Sequence, residues 1–214
     1  MSLTRLVARV QKHFPGSIRV RQEIWVTATP PILRGYSFER TREQGVFRPR
    51  PIIMPTYTRE KFVFLNHSIR LWPSDGTSTW WFDAKDMERI IPDLVAKLGG
   101  PGAQFLHDNG RDLQSFLAYL EGRYPPPVTD PYDLLALGCG HALLGDLDIG
   151  IRWLQPLLTA RYSQADRDWV QAVSRQGREA MAAIRAGEAS IRRLLDGWSH
   201  ESLVNLGIVR SETG

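Results

Sequence analysis

One cysteine, Cys139, stands in 214 residues. No disulfide can form within the chain, and a reducing compartment, the cytoplasm, is the expected home. Lysine is almost as scarce, 4 against 23 arginines. A GC-rich genome yields that bias without selection, although arginine is also the better residue for gripping a carboxylate with two parallel N–H groups. No stretch approaches the roughly 18 uninterrupted apolar residues of a membrane span. Met1 to Phe14 alternates charged with apolar residues, so no secretion leader and no membrane partner are expected.

The chain also lacks the signatures of chemistry. Its histidines, His13, His67, His107, His141 and His200, are far apart, and no closely spaced ligand pair suggests a metal. Cys139 and His141 are two positions apart on an expected helix and so point about 200° away from each other. Gly138, Gly140 and Gly145 lack the Lys-Ser/Thr and the preceding strand of a phosphate loop, and read better as small residues at a close helix crossing. Asp146 and Asp148 at a helix start read as capping and dipole complements rather than an acid–base pair. No catalytic residue, cofactor or small-molecule substrate is therefore expected, and the chain reads as a binding protein rather than an enzyme.

What is present is asymmetry. Residues 1–82 carry 13 Arg and Lys against 5 Asp and Glu, while residues 83–214 carry 14 against 18. The basic part reads mostly as strand and loop, the acidic part almost wholly as helix, so the two can face different surroundings. A pI near 9.5 admits nucleic acid as an alternative partner. The basic residues never condense into a dense run, however, which favours a protein.

Leu3, Leu6, Val7, Val10 and Phe14 recur at helical spacing up to Pro15 and Gly16. From Ile18 to Val26 the period becomes two, predicting one half-buried strand that ends at Pro30 and Pro31. Tyr36, Phe38 and Arg40 predict a short strand, and Pro49, Pro51 and Pro55 a loop. Glu60 to Trp72, with Val63, Leu65, Ile69 and Leu71 alternating, is the clearest expected strand. Trp80, Trp81 and Phe82 predict another, before Asp83 caps a helix beginning at Ala84.

Met87 to Leu98 predicts a helix kinked or split by Pro92 and stopped at Gly99 and Gly100. Leu113 to Leu120 predicts another, followed by the stiff run Pro125 to Pro127. Asp130 to Leu158 reads as two helices joined at Gly145 and Asp146, like a single tetratricopeptide-type hairpin. Ser163 is expected to cap a long helix ending near Ile184, Ile191 to Trp198 forms the next, Ser199 caps a short last one, and the tail after Val209 frays. The expected architecture is α+β: an antiparallel sheet domain over residues 1–125 and a helical subdomain over 126–214.

Two functional clusters suggest themselves. Trp80 and Trp81 with Tyr57, Phe62 and Phe64 suit either a core or a stacking platform for bases. Arg34, Tyr36, Arg40, Arg42, Arg48, Arg50, Tyr57 and Arg59 lie on the expected loop-rich stretch and make the candidate partner-binding group, since Arg and Tyr dominate anchored interfaces.

The segments MPTYTREKFVFLNHSIRLW (Met54 to Trp72) and TWWFD (Thr79 to Asp83) resemble a group of uncharacterised bacterial domains, with Ser68 where that group usually has glycine. The resemblance covers about residues 1–125. Several such domains occur beside polymorphic secreted toxins, which implies an immunity role: non-catalytic binding and neutralisation of a cognate toxin domain.

Overall fold

The computed structural model describes residues 2–81, 87–123, 128–159 and 167–209. Expectations resting on Phe82, Asp83, the Pro125 to Pro127 run, Ser163 and the tail beyond Val209 lie outside the described residues. The architecture is α+β, in two compact units: residues 1–54, 62–111 and 206–214 form the first, residues 55–61 and 112–205 the second. The chain thus divides elsewhere than at residue 125, and the second unit takes seven residues from the middle of the basic part.

In the first unit, helix α1 (Leu3–Gln11) buries the predicted stripe of Leu3, Leu6, Val7 and Val10. Each such side chain contributes roughly 1.5–3 kcal/mol of burial. A five-stranded antiparallel sheet follows in the order β1-β2-β3-β4-β5. The single strand expected from Ile18 to Val26 is a hairpin instead: β1 (Ile18–Val20) and β2 (Glu23–Thr27) pair directly. The chain reverses at Arg21, whose φ of 54° takes the left-handed region. β3 (Ile32–Arg40) is longer than expected, nine residues. One face of the sheet carries Tyr36, Phe38, Phe47 and Trp80, with Phe38 against Phe47 at 6.3 Å and Phe47 against Trp80 at 6.1 Å.

The two expectations around the prolines exchange places. Val46–Pro55, expected as a loop, is the ten-residue strand β4. Glu60 to Trp72, expected as the clearest strand, forms no named strand among the described residues and meets β4 at one isolated bridge, Ile52 with Ser68, and through the Leu71 amide, which donates to the Pro49 carbonyl at 3.4 Å. The reason lies in parity. The Ile53 amide donates to the His67 carbonyl at 3.0 Å, so the odd-numbered residues of β4 turn their amides toward this segment. Pro49, Pro51 and Pro55 share that parity and have no N–H. Their side of β4 has lost three donors and cannot carry a continuous ladder, while the even-numbered amides facing β3 are intact. β5 (Trp80–Trp81) pairs with the far end of β4, Val46 and Phe47.

Helix α2 (Met87–Lys97) runs unbroken through Pro92. Gly99 and Gly100 do not stop it: Leu98–Gly102 is a π-helical turn leading into α3 (Ala103–Gly110), a helix the periodicity does not announce. Gly102 and Gly110 let the backbone close on the sheet. A Cβ on Gly110 would stand 2.9 Å from Ile53 Cγ1.

The second unit holds α4 (Leu113–Arg123), α5 (Pro131–Leu143), α6 (Leu147–Thr159), α7 (Asp168–Arg185) and α8 (Glu188–Asn205). The α5–α6 hairpin is the predicted one. Asp130 caps it by accepting the Tyr132 amide at 2.9 Å, and Gly145 turns it at φ 91°. α5 is buried almost all round, as its apolar composition requires of a central helix. Gly138 and Gly150 meet there as small residues at a close crossing. α8 is one continuous helix. Ser199 does not cap a new one, and its hydroxyl meets Thr56 Oγ1 at 2.8 Å.

Candidate interaction surface and cleft

Of the eight residues of the expected partner-binding group, six lie in the first unit and two, Tyr57 and Arg59, in the second. Tyr36 is buried, its hydroxyl donating to the Leu98 carbonyl at 2.9 Å, and burial pushes the phenol up to about 12. Tyr57 lies in the second unit with no exposure at all, packed near Gly140 and Leu117. Neither phenol can touch a partner on the folded chain. Arg34 is half-buried and donates to Thr27 Oγ1 at 2.8 Å. Arg50 faces Glu39 at 3.4 Å, and Arg59 in the second unit is held by Glu201 at 2.8 Å and Glu179 at 3.7 Å. Arg48 is half-buried. Arg40 and Arg42 stay exposed, at the rim of a small cleft of about 280 Å³ by the β3–β4 turn.

Sequence alone assigns this group by charge, and charge does not say where a carboxylate stands. Glu201 and Glu179 are more than a hundred positions from Arg59. Glu39 and Glu23 share the sheet face with Ser37 and Arg50. Burial outweighs the hydrogen bonds there and raises the Glu23 carboxyl.

Two of the histidines have neighbours in their own units. His67 is buried beside Phe64, ring to ring at 5.8 Å. His141 places Nε2 3.0 Å from Glu121 and Nδ1 3.8 Å from Asp146. Cys139 is fully buried, and burial pushes its thiol well above the ordinary range, so it stays protonated and poorly reactive. Among the described residues no three His, Cys, Asp or Glu gather to hold a metal ion. No described helix is long and apolar enough to cross a membrane.

No family model, curated protein or solved structure matches this chain.

Two features of the first unit stand out. The first is the irregular segment leaving β4's proline edge. Phe62 is 76% exposed, Ile69 is 38% exposed, and Trp72 is 46% exposed beneath the Arg70 guanidinium, 5.4 Å from the ring centre. A strand would have turned half of these inward. The second is a cleft of about 590 Å³ between residues 73–81 and α2. Asp75 Oδ1 accepts the Thr77 hydroxyl at 2.7 Å and its amide at 3.0 Å, bonds that hold the carboxyl below its ordinary range. Asp93 accepts the Ser74 hydroxyl at 2.7 Å and amide at 3.0 Å. Trp80 is buried in the floor with Nε1 on the Leu71 carbonyl at 2.8 Å, and Trp81 stands half exposed at the wall.

The aromatic cluster considered as a stacking platform is therefore divided. Trp80 and Tyr57 are core, whereas Trp81 and Phe62 face solvent. The pair Arg70 and Trp72, two residues apart, is the part of the first feature that sequence offers, a cation and an indole close enough along the chain to meet.

Proposed function

We propose that this chain is an immunity protein: a non-catalytic binder that neutralises a secreted bacterial toxin by direct contact through the Phe62–Trp72 surface. One observation supports the reading above others. The stretch that carries the resemblance to toxin-associated bacterial domains, Met54 to Trp72, is the stretch that presents Phe62, Ile69 and Trp72 to solvent. Large exposed apolar side chains in one short segment mark a docking region, and Trp and Arg are the residues on which binding energy concentrates. Arg70 over Trp72 is already arranged, so little side-chain freedom is lost on docking.

The partner's face is acidic. The excess of 13 basic over 5 acidic residues in positions 1–82 draws such a face in and speeds encounter. A stable, specific complex needs about 800 Å² from each side, more than three side chains supply, so the neighbouring surface of the first unit contributes the rim.

The test is co-purification of the full chain with the C-terminal toxin domain encoded beside its gene, and protection of cells from that domain. Trp72→Ala and Arg70→Ala each weaken the complex at least tenfold and reduce protection, with the fold intact by circular dichroism. Full affinity in a Phe62→Ser, Arg70→Ala, Trp72→Ala triple variant would remove the proposed surface. Absence of any complex, together with RNA or DNA binding that falls steeply with salt, would replace the reading with nucleic-acid association.

A further inference from the structure

The geometry points to a second site, independent of toxin binding: the cleft between residues 73–81 and α2 takes a neutral pyranose sugar, with Trp81 as its stacking wall. The cleft's volume, about 590 Å³, lies within the span of small-molecule sites, roughly 300–1,000 Å³. Three properties of its lining select the ligand.

The apolar element is an aromatic face. Trp81 lines the cleft and yet leaves half of its surface in water. An indole so placed offers a flat apolar area beside polar groups, which suits a ligand with one face of C–H groups and an edge of hydroxyls.

The polar elements are of both kinds. Arg89 lines the cleft, and its charge is one of the causes that hold the Asp75 carboxyl down; it forms no hydrogen bond or close ion pair among the described residues, so its N–H groups can reach an acceptor. Asp75 turns both of its internal bonds onto Oδ1, leaving Oδ2 available to donors. Thr79 adds a hydroxyl that can serve either way. A ligand satisfying guanidinium and carboxylate together must both donate and accept, as vicinal hydroxyls do.

Among the described residues of the lining the balance of charge disfavours ions. A phosphate or carboxylate on Arg89 would face Asp75 and Asp93, while an ammonium or guanidinium between the carboxylates would face Arg89. A neutral ligand meets neither repulsion.

The experiment follows the Trp81 indole N–H resonance of the full-length protein, assigned with Trp81→Phe, during titration with the methyl glycosides of glucose, galactose and mannose, with N-acetylglucosamine, and with short oligomers of each. At least one sugar gives a saturable shift. Binding weakens at least tenfold in Arg89→Gln and in Asp75→Asn, both exposed positions, and is unchanged in Trp72→Ala. Tighter binding of an oligomer than of its monomer assigns the site to a glycan; equal binding assigns it to the free sugar. The proposal is overturned if no sugar moves the resonance, if only adenosine or an alkylguanidinium does, or if Arg89→Gln and Asp75→Asn bind as the parent does. None of these results touches the toxin reading, which Trp72 tests and Trp81 does not.

Discussion

Ser202 accepts the Glu60 amide and donates its own hydroxyl proton to the Thr56 carbonyl, each at 2.8 Å. One buried side chain on α8 thereby satisfies two backbone groups of the stretch that follows β4, those of Thr56 and Glu60. Ser202→Ala removes both bonds, one of them buried and the other partly so. The expected cost is about 1–3 kcal/mol, read as a lower urea midpoint with an unchanged slope.

Glu60 gives the same segment a dependence on pH. Burial pushes its carboxyl from the ordinary 4.5 up to about 7, against a smaller opposing effect from the Thr58 hydroxyl, which it accepts at 2.9 Å. Below pH 4.5 the group is protonated in folded and unfolded chains alike. Between 4.5 and about 7 the unfolded chain releases the proton and the folded one keeps it, so stability falls as pH rises and the loss is complete above about 7. The size is on the order of 2 kcal/mol, allowing for the part of the group that water reaches. Urea midpoints across this window fall less in Glu60→Gln than in the parent; equal slopes would contradict the assignment.

The α5–α6 crossing predicts opposite signs for one substitution at two glycines. A Cβ on Gly138 would lie 2.5 Å from Leu154 Cγ and 2.7 Å from its Cδ2, and one on Gly150 would lie 2.8 Å from the Gly138 carbonyl oxygen. Gly138→Ala therefore destabilises by about 1–3 kcal/mol through overpacking, despite alanine's better helix propensity. Gly197, in the interior of α8, has open space where a Cβ would go. Gly197→Ala stabilises by roughly 0.5–1 kcal/mol. Thermal midpoints of the two variants check both signs.

Tyr57 supplies a prediction about a group the sequence places at an interface. Its hydroxyl is buried and makes no hydrogen bond among the described residues, a loss of solvation with nothing in return. Tyr57→Phe removes that loss and leaves thermal stability unchanged or higher, by up to about 1 kcal/mol. Toxin affinity is unaffected. A marked fall in stability would mean that the phenol has a partner.

The exchange between the proline strand and the expected strand shows where reading along the chain succeeds and fails. Alternation in Glu60 to Trp72 describes side chains, and it says nothing about whether a neighbour has amides to offer. Three prolines read locally as loop, yet their common parity leaves β4 free to pair on the β3 side. The arginine group meets a related limit: charge along the sequence does not show that Glu39 stands beside Arg50, or Glu179 and Glu201 beside Arg59. Exposure of Trp72 and Trp81 beside burial of Trp80 is likewise invisible to composition, since adjacent tryptophans look alike until a sheet gives them sides.

The order of residues alone determined α1, α4 and the α5–α6 hairpin, because a helix is built from neighbours three and four apart and carries its own hydrogen bonds. It also determined the α+β class and the polarity of charge between the two parts. Tertiary structure decided which extended segments became strands, which arginines remained in water, and where a cleft opened, because each of these depends on a partner distant along the chain.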